Sequence, residues 1–397
     1  MVSRNIFEDL FVLEMTNNHL GRLDRGIDIV RQHARVVHAN NVRAAIKVQF
    51  RDVNSFIHED FKQRTDIRYV RRVRETEMNK GHYAALIQAI RDAGCIPMAT
   101  PFDEASVDWC VDFDLPIIKV ASADVTDWQL LKRIAATKKP VIVSIGGASE
   151  QDIDDMVQFF QEHQTPLAIN HCIAAYPHEA EECELNQIDY LRHRYAEHTI
   201  GYSSHEHRDW VHSMTISYAK GARTFERHID IDTDGASIAD YSSLPHEIDD
   251  WFKAFQTAKR YCGASPKSRI RPLKRETDFL DNYIRGAYAT RELPAGHVLT
   301  ADDVQLAIPI RKGQVSCREF REGEVLLQSC SKGAPIRIDM VSSDYASNPE
   351  LRNAILERGI EDPADEPSVV KFWRVPRKNA IQRESKLPTG DAIKQCG

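Results

Sequence analysis

The sequence has no pair of cysteines in a C-x-x-C arrangement. Its eight cysteines, Cys95, Cys110, Cys172, Cys183, Cys262, Cys317, Cys330 and Cys396, are scattered along 397 residues. That spacing argues against a cysteine-bound structural zinc and against the disulfide framework of a small secreted domain. There is no apolar run long enough to span a bilayer, and no signal-like apolar segment near the start. Positive charge is not in excess: 52 lysines and arginines face 59 aspartates and glutamates, a net charge of −7. On that balance neither nucleic acid nor an anionic membrane is expected as a partner. What is left is ordinary for a globular chain, with 42% hydrophobic and 28% charged residues, and a cytoplasmic enzyme is the default expectation. The length allows one large domain and a smaller one.

Short apolar runs alternate with helical patterns up to about residue 262. The strand candidates are Leu10–Leu13, Ala44–Phe50, Ile96–Ala99, Ile117–Ala121, Val141–Ile145, Leu167–His171, Thr199–Tyr202 and Thr224–Phe225. These runs are too apolar to alternate, as expected of a parallel sheet covered on both faces. Eight strand–helix units in this length favour an α/β fold of the closed (β/α)8 TIM-barrel type, placed at residues 1–268. A linker over 269–282 then leads to a small β-rich domain at 283–343, with strand-like pieces Ile284–Ala289, Leu306–Pro309, Glu324–Leu327 and Ile336–Ile338. Residues 344–397 read as a polar accessory tail without a core of its own.

Active sites of such barrels sit at the C-terminal strand ends, and the polar residues of this chain gather there. Glu14, Asn18 and His19 end the first strand, Lys47 and Gln49 the second, and Thr100 and Asp103 the third. Lys119 and Ser122, then Ser144 and Gly146, then His171 and Tyr176, end strands four to six. Ser203 and His205 end the seventh, Glu226 and His228 the eighth. Histidines at adjacent strand ends, His205 and His228, suit a divalent metal with open positions, its shell completed by Glu14, water or substrate. The alternative is that these rings bond loop backbone, the reading taken for His171 and His207. Lys47 and Lys119, ringed by hydroxyls, point to a bound phosphate or carboxylate. They could instead be neutralised within a protein network by Glu14, Asp103, Asp124 or Glu226, or one could form a Schiff base. The basic run Arg68–Arg74 (RYVRRVR) reads as a solvated face with no function assigned.

In order along the chain, these residues resemble the N-acetylneuraminate (sialic acid) synthase family, which includes pseudaminic and legionaminic acid synthases. Glu14-x-x-x-Asn18-His19-x-Gly21 is similar to the family's opening motif, Lys47-Val48-Gln49 to its K-F-Q, and Thr100-Pro101-Phe102-Asp103 to its T-P-F-D. Lys119–Ser122, Pro140–Gly146, His171-Cys172 with Tyr176-Pro177, Gly201–His205 and Glu226-Arg227-His228 continue the series. Arg285–Ala289, with Glu292-Leu293 and Leu299-Thr300, resembles the family's antifreeze-like (SAF) domain.

The resemblance implies condensation of phosphoenolpyruvate with an open-chain amino-sugar aldehyde, giving a nonulosonate-type 2-keto sugar acid and phosphate. It implies Mn²⁺ or Mg²⁺ on His205 and His228. Lys47, Gln49, Thr100, Lys119, Ser122, Ser144 and Ser203 would hold the phosphate and carboxylate, with Asn18 also in the substrate site. Glu14, Tyr176 and Glu226 would face the sugar. Arg285 would come from a partner subunit, in a domain-swapped homodimer.

This chain departs from the pattern at Ala174, Ile145 and Ser204, and in the segment Gly235–Ser242, which lacks the family's sugar-binding aspartate unless Asp232, Asp234 or Asp240 replaces it. The metal and phosphoenolpyruvate groups are kept better than the sugar groups, so an unusual acceptor is expected. The alternatives are a divergent metal-dependent barrel aldolase or lyase, and an idle binding subunit of the same fold.

Overall fold

The computed structural model describes residues 5–207, 209–263, 269–281 and 283–361. It falls into two compact units, divided between Ser265 and Pro266. In the first, eight parallel strands run β1 (Leu10–Thr16), β2 (Arg43–Phe50), β3 (Ile96–Pro101), β4 (Ile118–Val120), β5 (Val141–Ser144), β6 (Leu167–Cys172), β7 (Thr199–Ser204) and β8 (Thr224–Ile229). They pair in sequence order, and β1 pairs with β8 to close the barrel. A ninth, two-residue strand, β9 (Ser242–Ser243), adds to the end of β8.

Strand side chains alternate between two layers, as the pleat requires. Leu10, Val12, Ala45, Met98, Ile117, Ile142 and Ala168 belong to one buried cluster that fills the barrel. Phe11, Leu13, Ile46, Val48, Val143, Ile169, Tyr202 and Phe225 belong to a second cluster, shared with helical residues such as Ile29, Leu86, Met156 and Phe252. Higher in the barrel the filling turns polar. Thr224 donates to Asn170 across the interior, and a Cβ on Gly201 would collide with both of their side-chain oxygens. Only glycine leaves that bond its space, so Gly201 is a packing requirement.

The helix before β3 spans Lys80–Asp92, and Asn79 caps it by accepting from His82 N at 2.8 Å. The preceding stretch is an excursion between β2 and that helix. It contains short helices Val53–Phe56 and Arg68–Glu75, the latter carrying the basic run.

The second unit holds two antiparallel pairs, β10 (Gly286–Ala289) with β11 (Val304–Ala307), and β12 (Val325–Leu326) with β13 (Val341–Ser342). The piece expected as a strand at Ile336–Ile338 is a set of isolated bridges leading into a 3₁₀ turn, Ile338–Met340. Pro335 has no N–H for a regular ladder there. The expected linker contains a helix, Lys274–Asp281.

The tail expectation is corrected over 344–361. Helix Pro349–Leu356 buries Ile355 in the core of the small unit, and Arg358 grips Glu319 with bonds of 3.0 and 2.7 Å. A single short helix, with Leu351, Ile355 and Leu356 set among Glu350, Arg352 and Asn353, is a weak sequence signal for a core contact, which is why this segment reads as coreless. The rest of the expected tail, 362–397, lies outside the described residues.

Candidate active site

The inward phase of each barrel strand ends in a polar side chain, and these converge on a cavity of ≈ 400 Å³ at the C-terminal mouth. Glu14, Lys47, Gln49, Thr100, Lys119, Ser122, Ser144, Tyr176, Ser203, His205, Glu226 and His228 all line it. Twelve of the fourteen residues expected in the site therefore share one cavity. The register explains why: Glu14 lies level with Lys47 on one side and with His228 on the other, and Gln49 lies level with Thr100.

Asn18 and Arg285 are the exceptions. Asn18 does not line the cavity; its amide donates to Ile229 O at 2.8 Å and to Ser242 Oγ at 3.3 Å, tying the loop after β1 to β8 and β9. Those bonds commit its amide donors to fastening the loop rather than to the cavity. Arg285 is exposed and stands at the start of β10, in the second unit. His19 is buried beside Tyr83 and accepts from Gly21 N at 3.0 Å, outside the cavity lining.

At the floor the charges interlock. Lys47 Nζ contacts the Glu14 carboxylate, donates to Thr100 Oγ1 at 2.9 Å and lies 3.4 Å from Glu226. Lys119 Nζ donates to Ser144 Oγ at 2.7 Å and lies 3.8 Å from the other Glu226 oxygen. Burial pushes the Lys47 ammonium down to about 8, with Glu226 opposing that fall. Burial likewise works against a charged Glu226, but Lys119 and Lys47 outweigh it and hold the carboxyl below its usual range. Glu14 Oε1 also accepts from Thr16 N at 2.6 Å and from Gln49 Nε2 at 3.3 Å. Ser122 Oγ accepts from Gly146 N at 3.0 Å. The network expected as the alternative to a ligand is thus present in part, through Glu14 and Glu226; neither Asp103 nor Asp124 forms an ion pair with either lysine among the described residues.

Above this floor the rings of His205 and His228 lie 5.0 Å apart, with Tyr176 4.2 Å from His205. Burial pushes His205 down to about 3 and His228 well below its ordinary value, so both rings are neutral at physiological pH. His205 Nδ1 meets Ile173 O at 3.1 Å, which fixes the ring and leaves Nε2 for a ligand; His228 Nδ1 is buried without a partner. Neutral rings, one oriented from behind and one with an orphaned nitrogen, fit a divalent cation. Glu14 is turned toward Lys47, so the protein ligands that fit are the two histidines.

A separate group, His178, Cys183 and Glu206, brings its potential ligand atoms within 4.8 Å of one another. It stands on the opposite phase of β7, where Tyr202 also points, and sequence reading passed over it. Glu206 is already held by Arg227 at 3.5 Å, by Ser213 and by Tyr202 at 3.4 Å. His171 bonds Cys183 O at 2.8 Å, in keeping with its structural reading.

Sequence reading also missed Arg51 and Phe102 in the lining, although each continues the two-residue phase of its strand beyond the expected end, while Ala174, noted as a departure from the family pattern, lines it too. Tyr69 and Arg72 enter from the excursion after β2, and Tyr241 from the segment that departs from the family pattern. None of Asp232, Asp234 and Asp240 lines the cavity; Asp234 pairs with buried Arg25 at 2.9 Å.

A closed parallel barrel with lysines, carboxylates and paired histidines at its C-terminal mouth defines a barrel enzyme of the TIM type. The chain belongs to the NeuB family, whose profile matches residues 36–267. It is 28% identical over 303 residues to an uncharacterized protein of Methanocaldococcus jannaschii, covering 74% of this chain and 83% of that one. A pseudaminic acid synthase of Campylobacter jejuni is 26% identical, with 77% of this chain and 89% of the relative covered. Among solved structures, a Chromobacterium violaceum protein assigned to spore coat polysaccharide biosynthesis matches at a TM-score of 0.81 and 34% identity, over 84% of this chain and 100% of that one. No described helix is long and apolar enough to cross a membrane.

Proposed function

We propose that this enzyme condenses phosphoenolpyruvate with an open-chain sugar aldehyde, yielding a nonulosonate-type 2-keto acid and phosphate. The observation that carries this reading is the pair Lys47 and Lys119, buried side by side, each bonded to a hydroxyl and both facing Glu226. Such a floor suits an anion that arrives and leaves while the two carboxylates keep the lysines tolerable in its absence. Membership in a family whose named relatives include synthases of pseudaminic acid and of N-acetylneuraminate 9-phosphate supports the same chemistry.

Lys119, Ser122 and Ser144 hold the phosphoryl group, and Lys47, Thr100 and Ser203 the carboxylate, with Gln49 at its side. Carbon 3 of phosphoenolpyruvate attacks the aldehyde carbon, forming the new C–C bond, and the aldehyde oxygen takes up a proton. Water adds at carbon 2, and its proton passes to Glu14, whose carboxylate lies against Lys47. The tetrahedral centre then expels phosphate, with the proton returned to the leaving oxygen; its own hydroxyl proton is released, offsetting the one taken up by the aldehyde oxygen, and the 2-keto acid remains. Tyr176 and Glu226 face the sugar chain. His205 and His228 would hold Mn²⁺ or Mg²⁺, which would supply Lewis-acid polarisation of the aldehyde.

The small unit is read as the antifreeze-like domain, which in a domain-swapped homodimer lends Arg285 to the partner subunit's barrel. Phosphate release from phosphoenolpyruvate with Mn²⁺, across neutral and charged hexosamine acceptors, tests the reaction. Release that requires an acceptor upholds it. Bound metal with no release under any acceptor favours the idle barrel or the aldolase reading.

A further inference from the structure

The floor of the cavity is balanced by itself. Lys47 and Lys119 are matched by Glu14 and Glu226, in a chain of ion pairs that runs Glu14, Lys47, Glu226, Lys119. Two further cations line the same cavity and are not balanced. Arg51 extends the inward phase of β2, and Arg72 reaches in from helix Arg68–Glu75, part of the basic run that had no assigned function. Among the described residues neither guanidinium makes an ion pair or a hydrogen bond. Asp124, whose field reaches Arg51, forms no ion pair with it.

Arg51 is nevertheless held in place. Its guanidinium carbon lies 3.8 Å from the centre of the Phe102 ring, with Phe56 at 5.8 Å and Tyr69 at 6.0 Å. Its Nε is buried without a partner. Stacking of this kind fixes the plane of the guanidinium and leaves its edge donors for an anion, which a planar fork binds in bidentate fashion. An oriented but unbonded guanidinium at a cavity wall is costly unless something regularly occupies it.

We infer that Arg51 and Arg72 form a second anion subsite, which receives a phosphate or carboxylate carried by the acceptor sugar at a position remote from its aldehyde. The inference rests on the reaction proposed above and narrows its substrate to an anionic sugar. It also gives a physical reason for the altered segment after β8. An acceptor gripped by charge at its far end depends less on a hydroxyl-binding aspartate, and here none of the three candidates lines the cavity.

The test uses the full-length enzyme with Mn²⁺ and three acceptors: N-acetylmannosamine, its 6-phosphate, and the corresponding 6-uronic acid. Keto-acid formation is followed, so that acceptor phosphate does not confuse the assay. One charged acceptor is expected to exceed the neutral sugar by at least about tenfold in kcat/KM; which one it is separates phosphate from carboxylate. R72A and R51K should each raise the KM of the charged acceptor about tenfold, leaving the KM of phosphoenolpyruvate and turnover of the neutral sugar in place. Arg72 is exposed, so R72A keeps the fold even if R51K does not.

Preference for the neutral sugar would overturn the inference while leaving the reaction standing, as would a rise confined to the KM of phosphoenolpyruvate. If no acceptor is turned over, the proposed reaction fails, and calorimetric titration with the 6-phosphate and the uronic acid decides the subsite alone. Binding of either that is lost in R72A upholds the subsite; absence of binding, or binding unaffected by R72A, overturns it.

Discussion

Lys119 and Ser144 are joined by a 2.7 Å hydrogen bond across the ends of β4 and β5, both side chains being almost fully buried. The bond aims an ammonium and a hydroxyl at one point of the cavity, a preorganised arrangement for phosphoryl oxygens. Lys119→Met removes the charge and leaves Ser144 without its donor. The expected result is a loss of about 10²–10³ in kcat for phosphoenolpyruvate turnover, the scale of removing one preorganised donor. Ser144→Ala keeps the charge and should lose less. Equal losses, or none in Lys119→Met, would contradict the placement of phosphate at this pair.

Lys47 gives a pH dependence whose sign is fixed by its burial. Its folded value, about 8, lies below the ordinary 10.5. It is charged below about 8 and neutral above, so affinity for a carboxylate should weaken as pH rises through that value. The KM of phosphoenolpyruvate should be level up to about pH 8 and climb beyond it. For stability the folded state binds fewer protons than the unfolded chain between about 8 and 10.5, so this group's contribution rises with pH across that window. A KM that stays level to pH 9.5 would remove Lys47 from the anion site.

The two histidine groups are separable by elemental analysis. His205→Ala or His228→Ala should abolish turnover and strip the bound divalent metal, because their neutral rings are the donors available at the mouth. His178→Ala should leave metal content and turnover largely intact, since Glu206 in that group is already engaged by Arg227 and Ser213. The reverse pattern would move the metal to His178, Cys183 and Glu206.

Much of the barrel and most of its mouth were legible because period-two alternation is a local property. Once Lys47 is inward, so are Gln49 and Arg51, and the strand-end polar residues follow from counting. What was not legible depended on partners distant in sequence. Asn18 looks like any strand-end amide until Ile229 O and Ser242 take its donors, 211 and 224 residues away. The run Arg68–Arg74 sets four arginines around Tyr69, Val70 and Val73, so it reads as a solvated basic face, and only the path of the excursion turns Arg72 into the cavity. Helix Pro349–Leu356 is short, with Glu350, Arg352 and Asn353 set among its apolar residues; its anchoring depends on Ile355 and on the bond from Arg358 to Glu319, nearly forty residues back.

Arg285 tests the proposed exchange between subunits. Arg285→Ala should cripple turnover with an unchanged barrel. Mixing unfolded and refolded Arg285→Ala and His205→Ala chains should then restore part of the activity, because one of the two sites in a mixed dimer would hold both intact residues. Absence of complementation in a verified mixed dimer would mean that Arg285 serves its own chain or none.

The C-terminal segment separates two truncations. Ending the chain at 343 removes Ile355 from the small core and Arg358 from Glu319, a buried residue whose carboxylate, among the described residues, is otherwise bonded only to Ser316. Breaking a buried pair from one side costs about 3–5 kcal/mol, before the lost apolar burial is added. In a unit this small that is most of its stability. The 343 truncation should therefore lose the small unit's unfolding transition in urea, and with it any activity that depends on Arg285. Ending at 361 retains Ile355, Arg358 and the bridge between Ile360 and Arg311, and should keep the transition. Equal unfolding midpoints for the two truncations would show that this segment only decorates the unit.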